Sequence, residues 1–314
     1  MFVDNLIISM NSVLPMFLIM AVGYIFRRIG WLGDPQVRPF NKVSLYSFIA
    51  VLLFCNIYQS DIKELLDMRL IFFIWGYFLF EFGLSLAVTL LVEKDNHSRG
   101  ALLHGMFRAN TTLLGLPLAV AILGADNVGI ISVVIAAIAP VLNVLGVLAL
   151  EIFRGGKLNF KKLLIGICTS PLIIATILAL IFNLGAIPIP TPIYSALNSM
   201  KAIASPLAMF LLGASFDFKT IGQNAKNITI ATIMKLIIIP AIALIIAIQM
   251  GFRGGALVAV MVCFSSPTAV MTFPMAVSAD SNSELAANIV VFSSIFSSIT
   301  LFITVFLFNT FNLI

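Results

Sequence analysis

Long apolar stretches, each close to the length of a membrane-crossing helix, alternate with short polar breaks along the whole chain. A helix needs about 20 mainly apolar residues to cross the hydrocarbon core of a bilayer. On this template the sequence predicts ten spans, near residues 5–26, 37–59, 68–92, 100–123, 128–153, 163–183, 193–216, 227–249, 254–278 and 284–309. We therefore expect an all-α integral membrane protein with ten transmembrane helices.

Composition agrees with this pattern. Hydrophobic residues make up 61% of the 314 residues and charged residues only 10%, whereas soluble domains carry about 25% charged residues. The N-terminus lacks the basic region and cleavage site of a signal peptide, so we expect it to be the first span. Because Cys55, Cys168 and Cys263 all fall in apolar segments, we expect core residues rather than disulfides or metal ligands.

The basic residues between the spans predict the orientation. Twelve fall on one side of the membrane: Arg27, Arg28, Arg38, Lys42, Lys94, Arg99, Arg154, Lys157, Lys161, Lys162, Lys219 and Lys226. Four fall on the other: Lys63, Arg69, Lys201 and Arg253. The side with more basic residues is cytoplasmic by the positive-inside rule, so both termini are expected outside the cytoplasm, in a cell inner (plasma) membrane. The net charge of +5 then reflects orientation and not a nucleic-acid partner.

Short sequence matches between the two halves predict an internal duplication. Four recur in order at offsets of 155 to 157 residues: Pro15 with Pro171, 61–63 with 217–219, 100–102 with 255–257, and 117–119 with 274–276. Five spans per half is an odd number, so the second half must enter the membrane from the opposite side. The sequence therefore predicts two inverted five-helix repeats, residues 1–156 and 157–314, a common plan of secondary transporters.

Prolines and polar residues interrupt the fourth and ninth predicted spans. Because proline removes a backbone donor and clashes with the preceding turn, we expect both helices to be broken at prolines and to cross near the midplane. The new half-helix N-termini carry partial positive charge, which suits a carboxylate. The predicted substrate-binding residues are Asn110, Thr111, Thr112, Gly115, Pro117, Asn143, Ser266, Pro267, Thr268, Thr272 and Pro274, with Ser265 as a further donor. The alternative is that these kinks only adjust helix packing.

Four ionisable residues are predicted to lie inside spans. Glu81 and Lys235 occupy matching places in the two halves, and ionisable residues at this depth are usually functional or paired. We consider Glu81 as a proton carrier and Lys235 as an attractor of the anion, with a structural charge pair or snorkelling by Lys235 as the alternative. Arg108 is expected either to reach lipid headgroups, which is the preferred interpretation, or to guide anions toward the cavity, and His104 is expected to be structural.

Two motifs resemble the auxin efflux carrier family in its compact bacterial form: Asn110-Thr111 followed by residues 115–118, and residues 266–270 followed by residues 284–287. The resemblance covers nearly the whole chain and implies a fold like that of the bile-acid/sodium symporters. It implies a scaffold of helices 1, 2, 6 and 7 and an elevator-like transport domain of helices 3–5 and 8–10. Bacterial members carry malate, malonate or related dicarboxylates. An asparagine expected after the ninth-helix proline is replaced here by Met271-Thr272.

These observations predict a secondary transporter of a small organic anion, either a dicarboxylate such as malate or malonate or another carboxylate. The alternatives are a sodium-coupled symporter of the bile-acid type, a channel or structural membrane subunit, and an intramembrane hydrolase. A hydrolase would need a paired nucleophile and base or a metal-binding motif, neither of which the sequence contains. We expect no enzymatic activity, cofactor or metal, and leave proton coupling, sodium coupling and a homodimer open.

Overall fold

A computed structural model describes residues 15, 17–59, 68–124, 129–154, 169–216 and 220–314. In the first half the helices are α1 (17–28), α2 (Asp34–Val43, Ser44–Ile49 and Ala50–Tyr58), α3 (Met68–Val92), α4 (Asn96–Phe107), α5 (Thr111–Gly115 and Leu116–Leu123) and α6 (Gly129–Glu151). In the second half they are α7 (Pro171–Leu184), α8 (Thr191–Ser215), α9 (Thr220–Ile233, Met234–Ile238 and Ile239–Gln249), α10 (Gly254–Ser265), α11 (Thr272–Ser278) and α12 (Ser283–Thr310). Within α2, α5 and α9 one turn each is π-helical: Ser44–Ile49, Thr111–Gly115 and Met234–Ile238.

Six of the described helices are long and apolar enough to cross a bilayer: Pro35–Tyr58, Met68–Val92, Val133–Glu151, Thr191–Ser215, Ile221–Gln249 and Ser283–Thr310. They match the second, third, fifth, seventh, eighth and tenth predicted spans, which confirms a multi-pass membrane protein. Their outer surface is apolar, and Leu91 is 85% exposed, as lipid rather than water requires. The first and sixth predicted spans and Cys168 lie wholly or partly outside the described residues, so ten spans, the inverted repeat and the domain division stay predictions.

The described helices pack around two apolar cores. One core is formed mainly by α3, α4, α6, α9, α10 and α12, and the other mainly by α1, α2, α8 and the residues around α11. In the second core the backbones of α1 and α8 touch, because a Cβ atom on Gly213 would lie 1.9 Å from the carbonyl oxygen of Met20. Cys55 and Cys263 are buried and free, which confirms their prediction as core residues.

The fourth and ninth predicted spans are each broken, but not always at a proline. Helix α4 ends at Phe107 and α5 begins at Thr111, so the first break precedes Pro117. Pro117 lies inside α5, directly after the wide π-helical turn. In the ninth span Pro267 lies within the break, whereas Pro274 lies in the first turn of α11, where backbone donors have no helical partner in any case. The prediction of breaks at prolines is therefore correct for Pro267 and wrong for Pro117 and Pro274.

Candidate functional site

The two breaks meet each other as a short antiparallel bridge. The backbone N–H of Asn110 donates to the carbonyl oxygen of Pro267 at 2.8 Å, and the N–H of Ala269 donates to the carbonyl of Arg108 at 2.9 Å. An unpaired backbone group inside a membrane costs several kcal/mol. The bridge explains how two interrupted helices can be stable at this depth, because each break supplies the partners that the other needs.

A cavity lies beside this bridge. Its volume is about 80 Å³, which is below the range of about 300–1,000 Å³ typical of small-molecule sites. Its walls come from both breaks and from α2, α6 and α8. Its polar lining residues are Asn56, Arg108, Asn110, Thr111, Asn143 and Ser205. Three of the predicted substrate-binding residues, Asn110, Thr111 and Asn143, therefore come together on one cavity.

Among the described residues that line this cavity, Arg108 is the one that carries a charge. Its side chain is buried, with the residue only 4% exposed. One terminal guanidinium nitrogen donates to Asn143 Oδ1 at 2.8 Å and contacts the sulfur of Met271 at 2.9 Å, and the other donates to the carbonyl oxygen of Leu142. In the part of the chain that the structure describes, no carboxylate forms an ion pair with Arg108. The expectation that Arg108 reaches lipid headgroups is wrong, because its side chain points inward to Asn143 and the cavity.

Asn110 and Asn143 differ in how much hydrogen-bonding capacity they have left. The amide nitrogen of Asn143 donates to Thr176 Oγ1 at 2.8 Å, and Thr176 in turn donates to the carbonyl of Leu172 at 2.7 Å. Asn143 is therefore fixed by α7 and holds Arg108 in place. The amide nitrogen of Asn110 is buried and has no hydrogen-bond partner among the described residues. An unsatisfied buried donor is costly, and this one lies on the cavity.

The predicted hydroxyl donors of the ninth span do not line the cavity. Ser266 donates to the carbonyl of Val262 at 2.6 Å, and Thr268 donates to the carbonyl of Gly105 at 2.7 Å. Thr272 Oγ1 lies 3.1 Å from His104 Nδ1. These contacts tie the second break to its own helix and to α4, so the three side chains position the crossover.

Gly115 and Ser265 lie in packed surroundings. A Cβ atom on Gly115 would lie 2.5 Å from a methyl carbon of Val262, so this glycine permits α5 and α10 to approach closely. Ser265 is buried, and its hydroxyl has no partner among the described residues. The side chains of Thr112 and Pro117 lie outside the described part of the structure.

Glu81 and Lys235 form an ion pair that is sealed from both solvent and lipid. Lys235 Nζ lies 3.0 Å from Glu81 Oε1, and both side chains are 0% exposed. Lys235 also donates to the carbonyl oxygen of Phe107 at 3.2 Å, the last residue of α4. A cation at a helix C-terminus is favourable, so the pair links α3 and α9 to the edge of the first break. Lys235 does not snorkel, and neither residue lines the cavity.

Outside the membrane-spanning segments, Glu93 stabilises the turn that leads into α4. Burial acts to raise the pKa of Glu93, but hydrogen bonds from the backbone N–H of Asp95, from the Asn227 side chain and from the backbone N–H of Lys94 outweigh it, so the pKa lies below its usual value. The Asp95 carboxylate accepts from the N–H groups of His97 and Ser98 and so caps α4.

Sequence reasoning missed two cavity residues, Asn56 and Ser205, and gave Arg108 a place on the cavity only as the less favoured alternative. Arg108 stands two residues before Asn110, the first residue of the recognised motif, and its place beside that motif was a usable signal. Asn56 and Ser205 lie in α2 and α8 and carry no local signal, because their proximity to the breaks depends on how these helices pack.

Similarity to known proteins identifies the class of protein. The family described as membrane transport protein matches residues 8–162 and 157–305 of the chain. The chain belongs to this family. The match confirms the resemblance to the auxin efflux carriers and shows that the protein is a transporter, which suggests that it is not an enzyme.

Two archaeal relatives resemble this transporter over nearly its whole length. An uncharacterized transporter of Methanothermobacter thermautotrophicus is 25% identical over 300 residues, which cover 93% of this chain and 96% of the relative. An uncharacterized transporter of Methanocaldococcus jannaschii is 26% identical over 297 residues, which cover 92% of this chain and 96% of the relative. The similarity extends through both breaks.

Proposed function

We propose that the protein is a secondary transporter of a small organic anion, bound in the cavity beside the bridged breaks. The observation that carries the proposal is Arg108, a buried cation that lines a cavity and has no carboxylate partner among the described residues. A buried charge without a partner is strongly unfavourable. A carboxylate in the cavity would supply the missing charge, and the planar guanidinium matches its geometry.

The charge of Arg108 contributes more to the binding of an anion than the helix ends do. Helix α5 begins at Thr111 on the cavity wall, so its N-terminal end adds a favourable field. Helix α11 has only seven residues, and its contribution is correspondingly small. Asn110 adds a hydrogen-bond donor that has no protein partner among the described residues. A malate- or malonate-sized dicarboxylate and a monocarboxylate are both compatible with one arginine and one amide.

The position of the cavity supports an elevator-like movement. Part of the lining comes from α2 and α8, and the rest comes from the two breaks and α6. Sliding of the breaks, together with the helices that hold them, along α2 and α8 would carry a bound anion from one side of the membrane to the other. A movement of this kind needs no energy-consuming domain, in keeping with a secondary transporter.

Uptake into proteoliposomes tests the proposal. Purified protein would be reconstituted and supplied with labelled malate, malonate or an aromatic carboxylate, with pH gradient, sodium gradient and voltage imposed one at a time. We expect at least one of these anions to accumulate above protein-free liposomes and the unlabelled anions to compete. If none of the three anions enters and none competes, the protein is not the carrier proposed.

Arg108→Gln tests the residue that carries the proposal. A hydrogen bond to a charged group contributes about 1.5–3 kcal/mol, so loss of the guanidinium should lower anion affinity by about tenfold or more. Arg28→Gln is the matched control, because Arg28 is exposed and donates to the Tyr24 hydroxyl, one turn earlier on the same helix, at 2.8 Å. Equal uptake by the two variants would remove Arg108 from the binding site.

A further inference from the structure

His104 lies one helical turn before Arg108 on α4 and has a nitrogen with no assigned role. The residue is 0% exposed. Its Nδ1 lies 3.1 Å from Thr272 Oγ1, and its Nε2 is buried without a hydrogen-bond partner in the described part of the chain. When Nδ1 donates its proton to Thr272, Nε2 retains a free lone pair. A buried lone pair without a donor is unfavourable, and a proton is the smallest ligand that would satisfy it.

Gly146 on α6 brings His104 and Arg108 to the same place. A Cβ atom on Gly146 would lie 3.0 Å from a terminal nitrogen of Arg108 and 3.2 Å from His104 Nε2. The two nitrogens are therefore separated by no more than the sum of these distances. At this separation in a water-poor interior, the charge of Arg108 opposes a second positive charge on His104.

Several ionisable groups lie on the helices around His104. Helix α4 packs against α3, α6, α9, α11 and α12. The ionisable side chains on these helices are Arg69, Tyr77 and Glu81 on α3, Glu151 on α6, Lys226 and Lys235 on α9, and Glu284 on α12, and α4 itself carries His97 and Arg99. Glu81 and Lys235 compensate each other. Arg108 is the charged group that the structure places beside His104, at Gly146.

We propose that His104 is the proton-binding site of an anion–proton symporter, with its protonation controlled by the anion held on Arg108. The inference rests on the proposed function, because it requires an anion in the cavity. An anion on Arg108 neutralises the charge that opposes protonation, and Nε2 then takes up one proton to form an imidazolium ion. A bound monoanion and its proton together leave the net charge of the site unchanged, whereas a dianion such as malonate and the same proton add one negative charge.

A second cavity offers the proton an approach to His104. It is lined by Val147, Glu151 and Arg154 at the end of α6, by Met275 and Ser278 of α11, and by residues at the start of α7. The Met275 methyl group would lie 3.4 Å from a Cβ atom on Gly146. Met275 therefore borders both this second cavity and the space in which His104 and Arg108 meet.

Nitrogen NMR of one histidine provides a direct test. The chain has two histidines, so in the His97→Gln variant the signal comes from His104 alone. The variant would be labelled with ¹⁵N-histidine and purified through a tag that contains no histidine. We expect saturating malonate at pH 7 to convert the His104 ring signals from the neutral to the protonated pattern, and sodium chloride of equal ionic strength to leave them unchanged. If malonate binds and the ring stays neutral, the proposal is overturned.

Transport by His104→Gln gives an independent readout. We expect this variant to lose malonate accumulation driven by a pH gradient, and its exchange of internal for external malonate to become independent of pH. His97→Gln is the matched control, since His97 is exposed at the start of α4, and it should keep both properties. Accumulation by His104→Gln at the level of the control would refute the inference. Failure of wild-type protein to bind or move any of the three test anions would instead refute the proposed function.

Discussion

Removal of either member of the Glu81–Lys235 pair should destabilise the protein strongly, whereas removal of both should not. The two charges lie 3.0 Å apart and have no contact with solvent. Loss of one partner leaves an uncompensated buried charge, which costs about 3–5 kcal/mol. Replacement of both members of a buried pair by apolar residues of similar volume is often neutral or stabilising. Glu81→Met, Lys235→Met and the double variant form the complete cycle.

The two single variants should also differ from each other. Lys235 donates to the carbonyl oxygen of Phe107 as well as to Glu81. Lys235→Met therefore leaves a second buried acceptor unpaired, at an additional cost of about 1–3 kcal/mol. We expect Lys235→Met to be the less stable of the two single variants. In the double variant, only the cost of the unpaired Phe107 carbonyl should remain. The coupling energy between the two positions, measured in the free energy of unfolding, should then be several kcal/mol.

Reversible unfolding in mixed detergent–SDS micelles, followed by tryptophan fluorescence, would measure the three free energies of unfolding. A double variant whose loss equals the sum of the two single losses to within about 0.5 kcal/mol would show that the positions are independent and would refute the reasoning. The folded double variant also separates two interpretations of Glu81. If Glu81 carries the transported proton, this variant loses accumulation driven by a pH gradient, and if the pair is structural it keeps that accumulation.

Three further changes test other parts of the structure. Gly213→Ala should lower the melting temperature in detergent, because its Cβ atom would lie 1.9 Å from the carbonyl oxygen of Met20. Gly222→Ala is the control: its Cβ atom would have nothing within 4 Å, so this variant should be neutral or stabilised by up to about 1 kcal/mol. Because the pKa of Glu93 is held below its usual value, its stabilising effect is present above pH 4.5 and lost as the pH falls further, so the melting temperature of Glu93→Gln should decline less on acidification than that of wild type. Asn110→Ala should reduce anion uptake by about tenfold or more while the protein still inserts into the membrane, and full uptake would remove Asn110 from the site.

The hydrophobic pattern predicted the long helices well, because a membrane imposes one length and one polarity on every uninterrupted span. The third predicted span, 68–92, has the same bounds as α3. The position of the first break was less predictable. A proline marks a position at which a helix has no backbone donor. Helix α4, however, ends at Phe107, because the backbone groups of Arg108 and Asn110 form hydrogen bonds with the other break. A partner that distant in sequence leaves no local signal.

The same reasoning explains why the donors of the two breaks have different roles. The sequence predicted side-chain donors to the substrate at both breaks. In the structure Asn110 and Thr111 line the cavity, whereas Ser266, Thr268 and Thr272 bond to neighbouring helices. The first break thus supplies the polar groups and the charge that line the cavity, and the second supplies the contacts that hold the first in place. The two breaks therefore perform different tasks, and substitutions in the first should alter anion affinity whereas substitutions in the second should alter the stability of the crossover.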